Sequence, residues 1–188
     1  DRADETQLAR FMAEISAETG QTFASYPDFH RWSVENRETF WSRLWDFARL
    51  VGEKGDRVIA QDTMPGAVFF PDAKLNFAEN LLAPADTDPQ GDAFVFWGED
   101  KVRRRMSWEQ LRALVSRLQQ ALQAAGVAKG DRVAAMMPNM PETIAGMLAA
   151  SSIGAVWSSC SPDFGTRGVL DRFGQIEPKV LIVTDGYR

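Results

Sequence analysis

The second half of the chain alternates short apolar runs with segments of helix length. Apolar runs lie at 133–137, 155–160 and 180–183, and each is short enough to be a buried parallel strand. A strand–helix–strand–helix–strand order is typical of a parallel sheet with helices on its faces. The sequence therefore predicts an α/β fold whose second half is the first part of a doubly wound, mostly parallel sheet.

Ahead of this region, the pattern predicts a β-hairpin followed by a helix. The runs 94–97 and 102–106 are apolar or alternating and surround a turn at 98–101. Ser107 is followed three residues later by Gln110, which is the spacing of a capping box. The helix is expected to run to Ala125 and to stop at a glycine.

The first part of the chain is predicted to be largely helical. Apolar residues at helical spacing indicate one helix over 5–19 and a longer one over 28–51, with Asp28 as the cap of the second. The second helix is rich in aromatic residues, and such density favours packing against a larger body. A short strand at 58–60, a turn at 64–66 and a short helix at 75–82 are expected to follow.

The segment 84–92 is rich in Pro, Asp and Gly and has no apolar periodicity, so it is predicted to be a linker. It would separate an N-terminal helical segment, 1–83, from the sheet region, 93–188. The chain does not begin with Met and has no signal-peptide pattern, so we expect its start to be a trimmed or artificial boundary.

Composition narrows the class of protein. The chain has 188 residues, 45% of them hydrophobic and 25% charged, as in globular proteins. A formal net charge of -5 gives no electrostatic reason to expect a nucleic-acid partner. No apolar run reaches the length of about 18 residues that a membrane helix needs. One cysteine allows no intramolecular disulfide, which fits a reducing cytoplasm.

The best candidate for a binding site is the segment 158–165, SSCSPDFG. It follows a predicted parallel strand, and α/β sheets bind ligands outside the carboxyl ends of such strands. Its small residues would let a ligand approach the backbone closely. The residues alone favour an ordinary strand-to-helix connection over a site, with Pro162 and Gly165 as turn residues, because most such loops only connect.

Other candidate residues have simpler interpretations. Cys160 has no partner base nearby in sequence, because the one histidine is His30, so a buried strand residue is favoured over a nucleophile. The basic run 103–105 lies on a predicted strand, where alternate residues point to opposite faces, and is expected to be solvated. The run 165–168 lacks the ending of a phosphate-binding loop, so Thr166 is predicted to cap a helix over 167–176.

Four stretches carry a family resemblance: PDFHRWSVENRETFW at 27–41, KLNFAENLL at 74–82, MSWEQL at 106–111, and the region through 149–165. They resemble the AMP-forming acyl-CoA synthetases, whose short-chain branch carries an extra N-terminal segment. The spelling SSCSPDFG is most similar to the acetoacetyl-CoA synthetase family, since acetyl-CoA synthetases read more like VFGGFS. The resemblance implies that 93–188 is the first part of an AMP-binding, or adenylation, domain.

The resemblance implies an acid–CoA ligase that uses ATP, Mg²⁺ and coenzyme A. The expected partners are its small-molecule substrates and the remainder of a longer chain. Neither nucleic acid nor a membrane is expected as a partner, and the oligomeric state is not predicted. By carry-over, Ser161, Pro162 and Asp163 would lie beside the adenine of CoA, although Asp163 departs from the family's Gly-Gly spelling. Arg188 would contact the 3′-phosphate of CoA. The motifs that hold ATP phosphates and magnesium in the family do not occur in this sequence, so no catalytic residue is assigned and this piece alone is expected to be inactive.

Three alternatives stay open. The acid could be acetate or propionate instead of acetoacetate. The chain could be a module that binds CoA or a nucleotide without catalysis. It could also be an interaction protein built on the aromatic helix, which would require an exposed Trp32, Trp41 or Trp45.

Overall fold

The computed structural model describes residues 3–83, 87–99 and 101–186. The chain divides into two compact units, Asp1–Leu75 (unit 1) and Asn76–Arg188 (unit 2). The sequence predicts the division at 84–92 instead, and residues 84–86 of that linker lie outside the described part. The physical reason for the earlier division is the short helix that follows Asn76, because it packs into unit 2. The predicted limits of the N-terminal helical segment, 1–83, the linker, 84–92, and the truncated adenylation domain, 93–188, stay a prediction.

Unit 1 begins with three helices: α1, Gln7–Thr19; α2, Tyr26–Glu35; and α3, Arg37–Phe47. Helix α1 lies within the predicted range. Thr6 caps its start by accepting a hydrogen bond from the N–H of Ala9, and Gly20 ends it in the left-handed conformation, at φ 71°. A glycine adopts that conformation without the steric cost of a Cβ.

The predicted single helix over 28–51 is wrong, because the chain breaks into α2 and α3 at Asn36. Asn36 has φ -121° and ψ 46°, and its side-chain amide donates to the carbonyl oxygen of Trp32 at 3.0 Å. The predicted cap is also wrong. Ser25 caps α2 by accepting from the N–H of Asp28, and its hydroxyl donates to the Asp28 carboxylate at 2.7 Å.

An aromatic cluster forms the core of unit 1. The Phe11 ring lies 4.9 to 5.9 Å, between centroids, from three other phenylalanine rings. Trp32 and Trp45 are buried, with 6% and 8% of their surface exposed. Trp41 is 38% exposed and packs edge-on against Phe69. Two of the three tryptophans that an interaction protein would expose are therefore core residues of this unit.

Two small antiparallel pairs complete unit 1. Strand β1, Gly52–Glu53, pairs with β4, Lys74–Leu75, and β2, Ile59–Gln61, pairs with β3, Val68–Phe69. Strand β2 occupies the place of the predicted strand at 58–60. The predicted turn at 64–66 connects β2 to β3 and contains a cis peptide bond between Met64 and Pro65.

Unit 2 contains a short helix, a hairpin with its helix, and a parallel sheet. Its elements are α4, Phe77–Leu82; β5, Asp92–Gly98; β6, Val102–Ser107; α5, Trp108–Ala124; β7, Arg132–Met136; α6, Pro141–Ile153; β8, Val156–Cys160; α7, Thr166–Gly174; and β9, Val180–Val183. Strands β5 and β6 form the predicted antiparallel hairpin. The predicted capping box is present, with the Ser107 hydroxyl accepting from the N–H of Gln110 and the Gln110 side chain accepting from the N–H of Ser107.

The sheet has the order β8–β7–β9, and both pairs are parallel. Val133 on β7 belongs to the same buried cluster as Leu148 and Ala149 of α6. Ala134, the next residue on β7, packs instead with Phe173 of α7. Because successive strand residues point to opposite faces, α6 and α7 cover opposite faces of the sheet. The predicted doubly wound α/β architecture is confirmed.

Helix α6 approaches the sheet closely because small residues line the contact. A Cβ on Gly146 would lie 3.0 Å from the Cη2 atom of Trp157 on β8. Ala145 and Ala149 have no exposed surface. The short helix α4 packs against α6, and Ala78 on α4 is fully buried. This burial places α4 in unit 2.

Asn76 links α4 to α6 through both ends of its side-chain amide. Its Nδ2 donates to the carbonyl oxygens of Ser151 and Ser152, at 3.1 and 3.2 Å, in the last turn of α6. Its Oδ1 accepts from the N–H of Glu79 at 3.1 Å, at the start of α4. The last carbonyls and the first N–H groups of helices otherwise lack partners within the helix.

We therefore expect Asn76→Ala to lower the free energy of unfolding by about 1–2 kcal/mol, since a cap and a helix-to-helix link are lost together. Urea unfolding followed by circular dichroism measures the change. Gln120→Ala is the matched control, because the Gln120 side chain is exposed and its amide donates to Ser116 within the same helix. Equal unfolding midpoints for the two variants would contradict the role given to Asn76.

Candidate functional site

The three parallel strands of unit 2 end along one edge of the sheet. Beyond the strands, the N–H of Met137 donates to the carbonyl oxygen of Cys160 at 3.2 Å, and that of Thr184 donates to Met136 at 3.4 Å. The connections that follow β7, β8 and β9 therefore leave the sheet side by side. Ligands of parallel α/β sheets bind at this edge, where the connections diverge.

The connection after β8, residues 161–165, folds back on itself as a compact turn. The Ser161 hydroxyl donates to the Asp163 carboxylate at 2.8 Å and accepts from the N–H of Asp163 at 3.2 Å. The N–H of Phe164 donates to the carbonyl oxygen of Ser161 at 3.2 Å. Ser161 and Pro162 are half-buried, whereas Asp163 is exposed. The turn thus presents a hydroxyl and a carboxylate at the carboxyl edge.

Three of the four residues expected at the site, Ser161, Pro162 and Asp163, lie together in this turn. The fourth, Arg188, lies outside the described residues. Their roles toward CoA stay predictions.

The expected cap of the following helix is wrong. Thr166 is the first helical residue of α7, and Gly165 is the cap, with φ -61° and ψ 162° and no side-chain hydrogen bond. A residue with extended backbone angles at the cap position directs the chain into the helix. Gly165 has these angles, but it has no side chain that could accept a hydrogen bond from the first turn of α7. Helix α7 ends at Gly174, two residues before the predicted end.

The connection after β7 begins α6 and borders a cavity of about 280 Å³. The Thr143 hydroxyl donates to the carbonyl oxygen of Pro138 at 2.7 Å, which ties the connection to the first turn of α6. The cavity lies between this connection and strand β5 of the hairpin; its walls include Phe94, Phe96, Asn139, Met140 and Ile144. Sequence reasoning missed this cavity because its two walls are more than 40 residues apart and neither carries a recognisable motif.

The three consecutive arginines of β6 are separated, as the strand alternation predicts. The Arg104 guanidinium donates to the Glu142 carboxylate at 2.7 Å, whereas Arg105 pairs with Asp92. Arg103 lies over the Trp97 ring, with its Cζ atom 4.9 Å from the centroid. The run does not form one basic patch.

The Arg104–Glu142 pair fixes the first turn of α6 to the hairpin. The hydrogen bond from Arg104 is the main cause that lowers the pKa of Glu142, and partial burial opposes it. The same hydrogen bond raises the pKa of Arg104 above its usual value. Both groups therefore stay charged around neutral pH.

Neither reactive candidate has a catalytic arrangement. Cys160 is 8% exposed and packs with Ala134 and Phe173, as expected for a buried strand residue. His30 is exposed in unit 1, with its ring centroid 6.1 Å from that of Tyr26. Within residues 3–83, 87–99 and 101–186, no group of three or more His, Cys, Asp or Glu side chains could hold a metal ion. In the same residues, no helix has the length and apolar character to cross a membrane.

Comparison with known proteins assigns the chain to a family. Residues 82–188 match the family described as AMP-binding enzyme, and residues 26–81 match the family described as acetyl-coenzyme A synthetase N-terminus. The chain belongs to the AMP-binding enzyme family.

Among individual proteins, the chain is similar to acetoacetyl-coenzyme A synthetases. It is 57% identical to that of Rhizobium meliloti over 98% of this chain and 28% of the relative. It is 40% identical to that of Macaca fascicularis, over 96% of this chain and 27% of the relative. The malonamoyl-CoA synthetase vrtB of Penicillium aethiopicum is 35% identical over 94% of this chain and 25% of the relative. The chain spans little more than a quarter of the length of these proteins.

A solved structure shows the same similarity. The acetoacetyl-CoA synthetase from Streptomyces lividans superposes with a TM-score of 0.91 at 40% identity, covering 100% of this chain and 29% of that one. The resemblance to acetoacetyl-CoA synthetases expected from the sequence is confirmed.

The pair between Arg104 and Glu142 predicts a pH-dependent stability. A carboxyl group whose pKa is lowered by folding stabilises the protein above its ordinary value of 4.5, and this contribution is lost as the pH falls through the folded-state pKa. We expect Glu142→Gln to lower the free energy of unfolding by about 0.5–1 kcal/mol at neutral pH, as for partly exposed ion pairs. The difference from the unchanged protein should vanish in acid.

Denaturant unfolding at neutral pH and well below 4.5 measures the effect. Arg104→Gln and the double variant complete a cycle that isolates the pair from other losses. A difference between Glu142→Gln and the unchanged protein that persists in acid would refute the assignment.

Proposed function

We propose that the protein containing this chain is an acetoacetate–CoA ligase. The observation that carries the proposal is the similarity to acetoacetyl-CoA synthetases along nearly the whole chain, 57% identical in one relative. The connection at 161–165 supports it, because its position at the carboxyl edge of a parallel sheet suits a ligand.

The proposed reaction has two steps. The carboxylate of acetoacetate attacks the α-phosphate of ATP, which gives acetoacetyl-adenylate and diphosphate. The thiol of CoA then attacks the acyl carbon, and AMP leaves. The first step converts an unreactive carboxylate into an acyl phosphate with a good leaving group, which is why ATP is consumed.

We propose that this chain contributes to binding CoA through Ser161, Pro162 and Asp163. The hydroxyl and the carboxylate in the turn can accept hydrogen bonds from an exocyclic amine, such as that of adenine. The negative charge of Asp163 would repel phosphate groups, so the phosphates of CoA should point away from this side chain. Arg188 remains the proposed contact for the 3′-phosphate, since a planar guanidinium forms paired bonds with phosphate oxygens.

Among the described residues, no group of three or more His, Cys, Asp or Glu side chains could hold a metal ion, and none of these residues is assigned to Mg²⁺. We assign no adenylation step to them, and the use of Mg²⁺ stays a prediction. The cytoplasmic location expected from the sequence also stays a prediction.

Acetate is a second candidate substrate, because residues 26–81 match a segment described from acetyl-coenzyme A synthetases. Acetoacetate is preferred because the acetoacetyl-CoA synthetase relatives match both units, over 96–98% of the chain. None of the described residues is assigned to selecting the acid.

The proposed function makes a prediction about the acid that the enzyme activates. The full-length protein should catalyse exchange of diphosphate into ATP in the presence of acetoacetate, without any need for CoA. Its kcat/KM for acetoacetate should exceed that for acetate and propionate. Acid-dependent exchange of labelled diphosphate measures this, and the absence of exchange with every acid would refute the proposed function. Preference for acetate would favour the second candidate.

The proposed role of the turn at 161–163 can be tested by substitution of Asp163. Asp163→Ala should raise the KM for CoA about three- to tenfold, as expected for the loss of a hydrogen bond to a bound ligand. Acetoacetate-dependent diphosphate exchange should not change. Asp171→Ala removes the same charge from the exposed surface of α7 and is the matched control. An unchanged KM for CoA in Asp163→Ala would remove this residue from the proposed site.

A further inference from the structure

The Phe164 side chain connects the turn at 161–163 to helix α7. Its ring lies beneath the guanidinium of Arg172, whose Cζ atom is 4.4 Å from the ring centroid. Arg172 lies in the last turn of α7, and Phe164 precedes the helix. The ring therefore lies along α7 although it remains 39% exposed.

Gly168 leaves the space that the Phe164 ring occupies. A Cβ at this position would lie 3.2 Å from Cδ1 of Phe164 and 3.9 Å from its Cβ. The first distance is tighter than an ordinary van der Waals contact, so the ring would have to move by a few tenths of an ångström. Glycine within a helix costs about 1 kcal/mol relative to alanine, and at position 168 the absence of a Cβ leaves room for the ring.

The ring position bears directly on the turn. Phe164 follows Asp163 in the chain, and its N–H donates to the carbonyl oxygen of Ser161 at 3.2 Å. Gly165, the cap of α7, provides no side-chain hydrogen bond. Phe164 therefore joins the end of the turn to α7 through its approach to Gly168 and its contact with Arg172.

We propose that Phe164, Gly168 and Arg172 form a clamp that positions Ser161–Asp163 for binding CoA. They are positioning residues, because they act on the ligand through the turn. The inference rests on the proposed function and deepens it, since it assigns the affinity for CoA to residues outside the turn itself. Exact placement matters because small displacements of binding groups weaken the interaction with a bound substrate.

The test uses the full-length protein and three measurements: the KM for CoA, acetoacetate-dependent diphosphate exchange, and the melting temperature. Arg172→Gln should raise the KM for CoA about two- to fivefold, which corresponds to the loss of an exposed cation–π contact. Phe164→Ala should raise it further. Arg172→Lys keeps the charge but loses the planar group, so its KM for CoA should lie between those of Arg172→Gln and the unchanged protein. Diphosphate exchange should stay unchanged in all of them.

Gly168→Ala distinguishes an effect on the position of the turn from an effect on the stability of the protein. Alanine favours the helix, so the melting temperature should stay equal or rise. The added Cβ should displace the ring and raise the KM for CoA about twofold or more. A residue with a merely structural role would not combine a stable protein with weaker use of CoA. Arg117→Gln, an exposed arginine of α5, is the charge-matched control and should change none of the measurements.

The outcomes are distinct. If diphosphate exchange is normal, and the KM for CoA in Phe164→Ala and Arg172→Gln equals that in Arg117→Gln, the clamp is refuted and the proposed function is not. Variants that lose exchange, CoA use and melting temperature together also overturn it, because the contact then serves only folding. An unchanged protein without acid-dependent exchange overturns the proposed function, and the clamp with it.

Discussion

The pairing of β7 with both of its neighbours is the constraint on which unit 2 depends. Val133, Ala134 and Ala135 are completely buried, and the strand pairs in parallel with β8 on one side and β9 on the other. Parallel pairing requires a crossover between consecutive strands, and both crossovers here are helices. The small residues on β7 and α6 let the helices approach the sheet, so neither face of the central strand is exposed.

The same pairing determines where binding groups can lie. Because the strands are parallel and in register, their carboxyl ends reach one edge, and the connections after β7 and β8 leave it together. The connection after β7 leads into the first turn of α6, which Glu142 ties to Arg104 of the hairpin. The connection after β8 is tied to α7 through Phe164 and Arg172. Each connection is thus held by an element outside the sheet. A binding site requires such support if its groups are to be in position before the ligand binds.

Much of unit 2 could be predicted because its signals are local. Buried strands need short apolar runs, and the capping box at Ser107 and Gln110 is legible from spacing alone. The break at Asn36 could not be predicted in this way, because aromatic residues continue on both sides of it. The bond from the Asn36 side chain to the carbonyl oxygen of Trp32 is visible only in the structure. The candidate site likewise has a part that could be predicted from the sequence and a part that could not. The position of Ser161–Asp163 after a strand was predictable, whereas the contact of Phe164 with Arg172 requires the side-chain geometry.

The central claim is that the turn after β8 faces CoA, and hydrogen exchange of the full-length protein with and without CoA tests it most directly. The account predicts that CoA slows amide exchange in peptides covering 158–165, while peptides covering α1 in unit 1 exchange at the same rate. Slower exchange confined to other segments, at a CoA concentration that saturates turnover, would contradict the account. The match to AMP-binding enzymes would then stand, with the CoA site placed elsewhere in the protein.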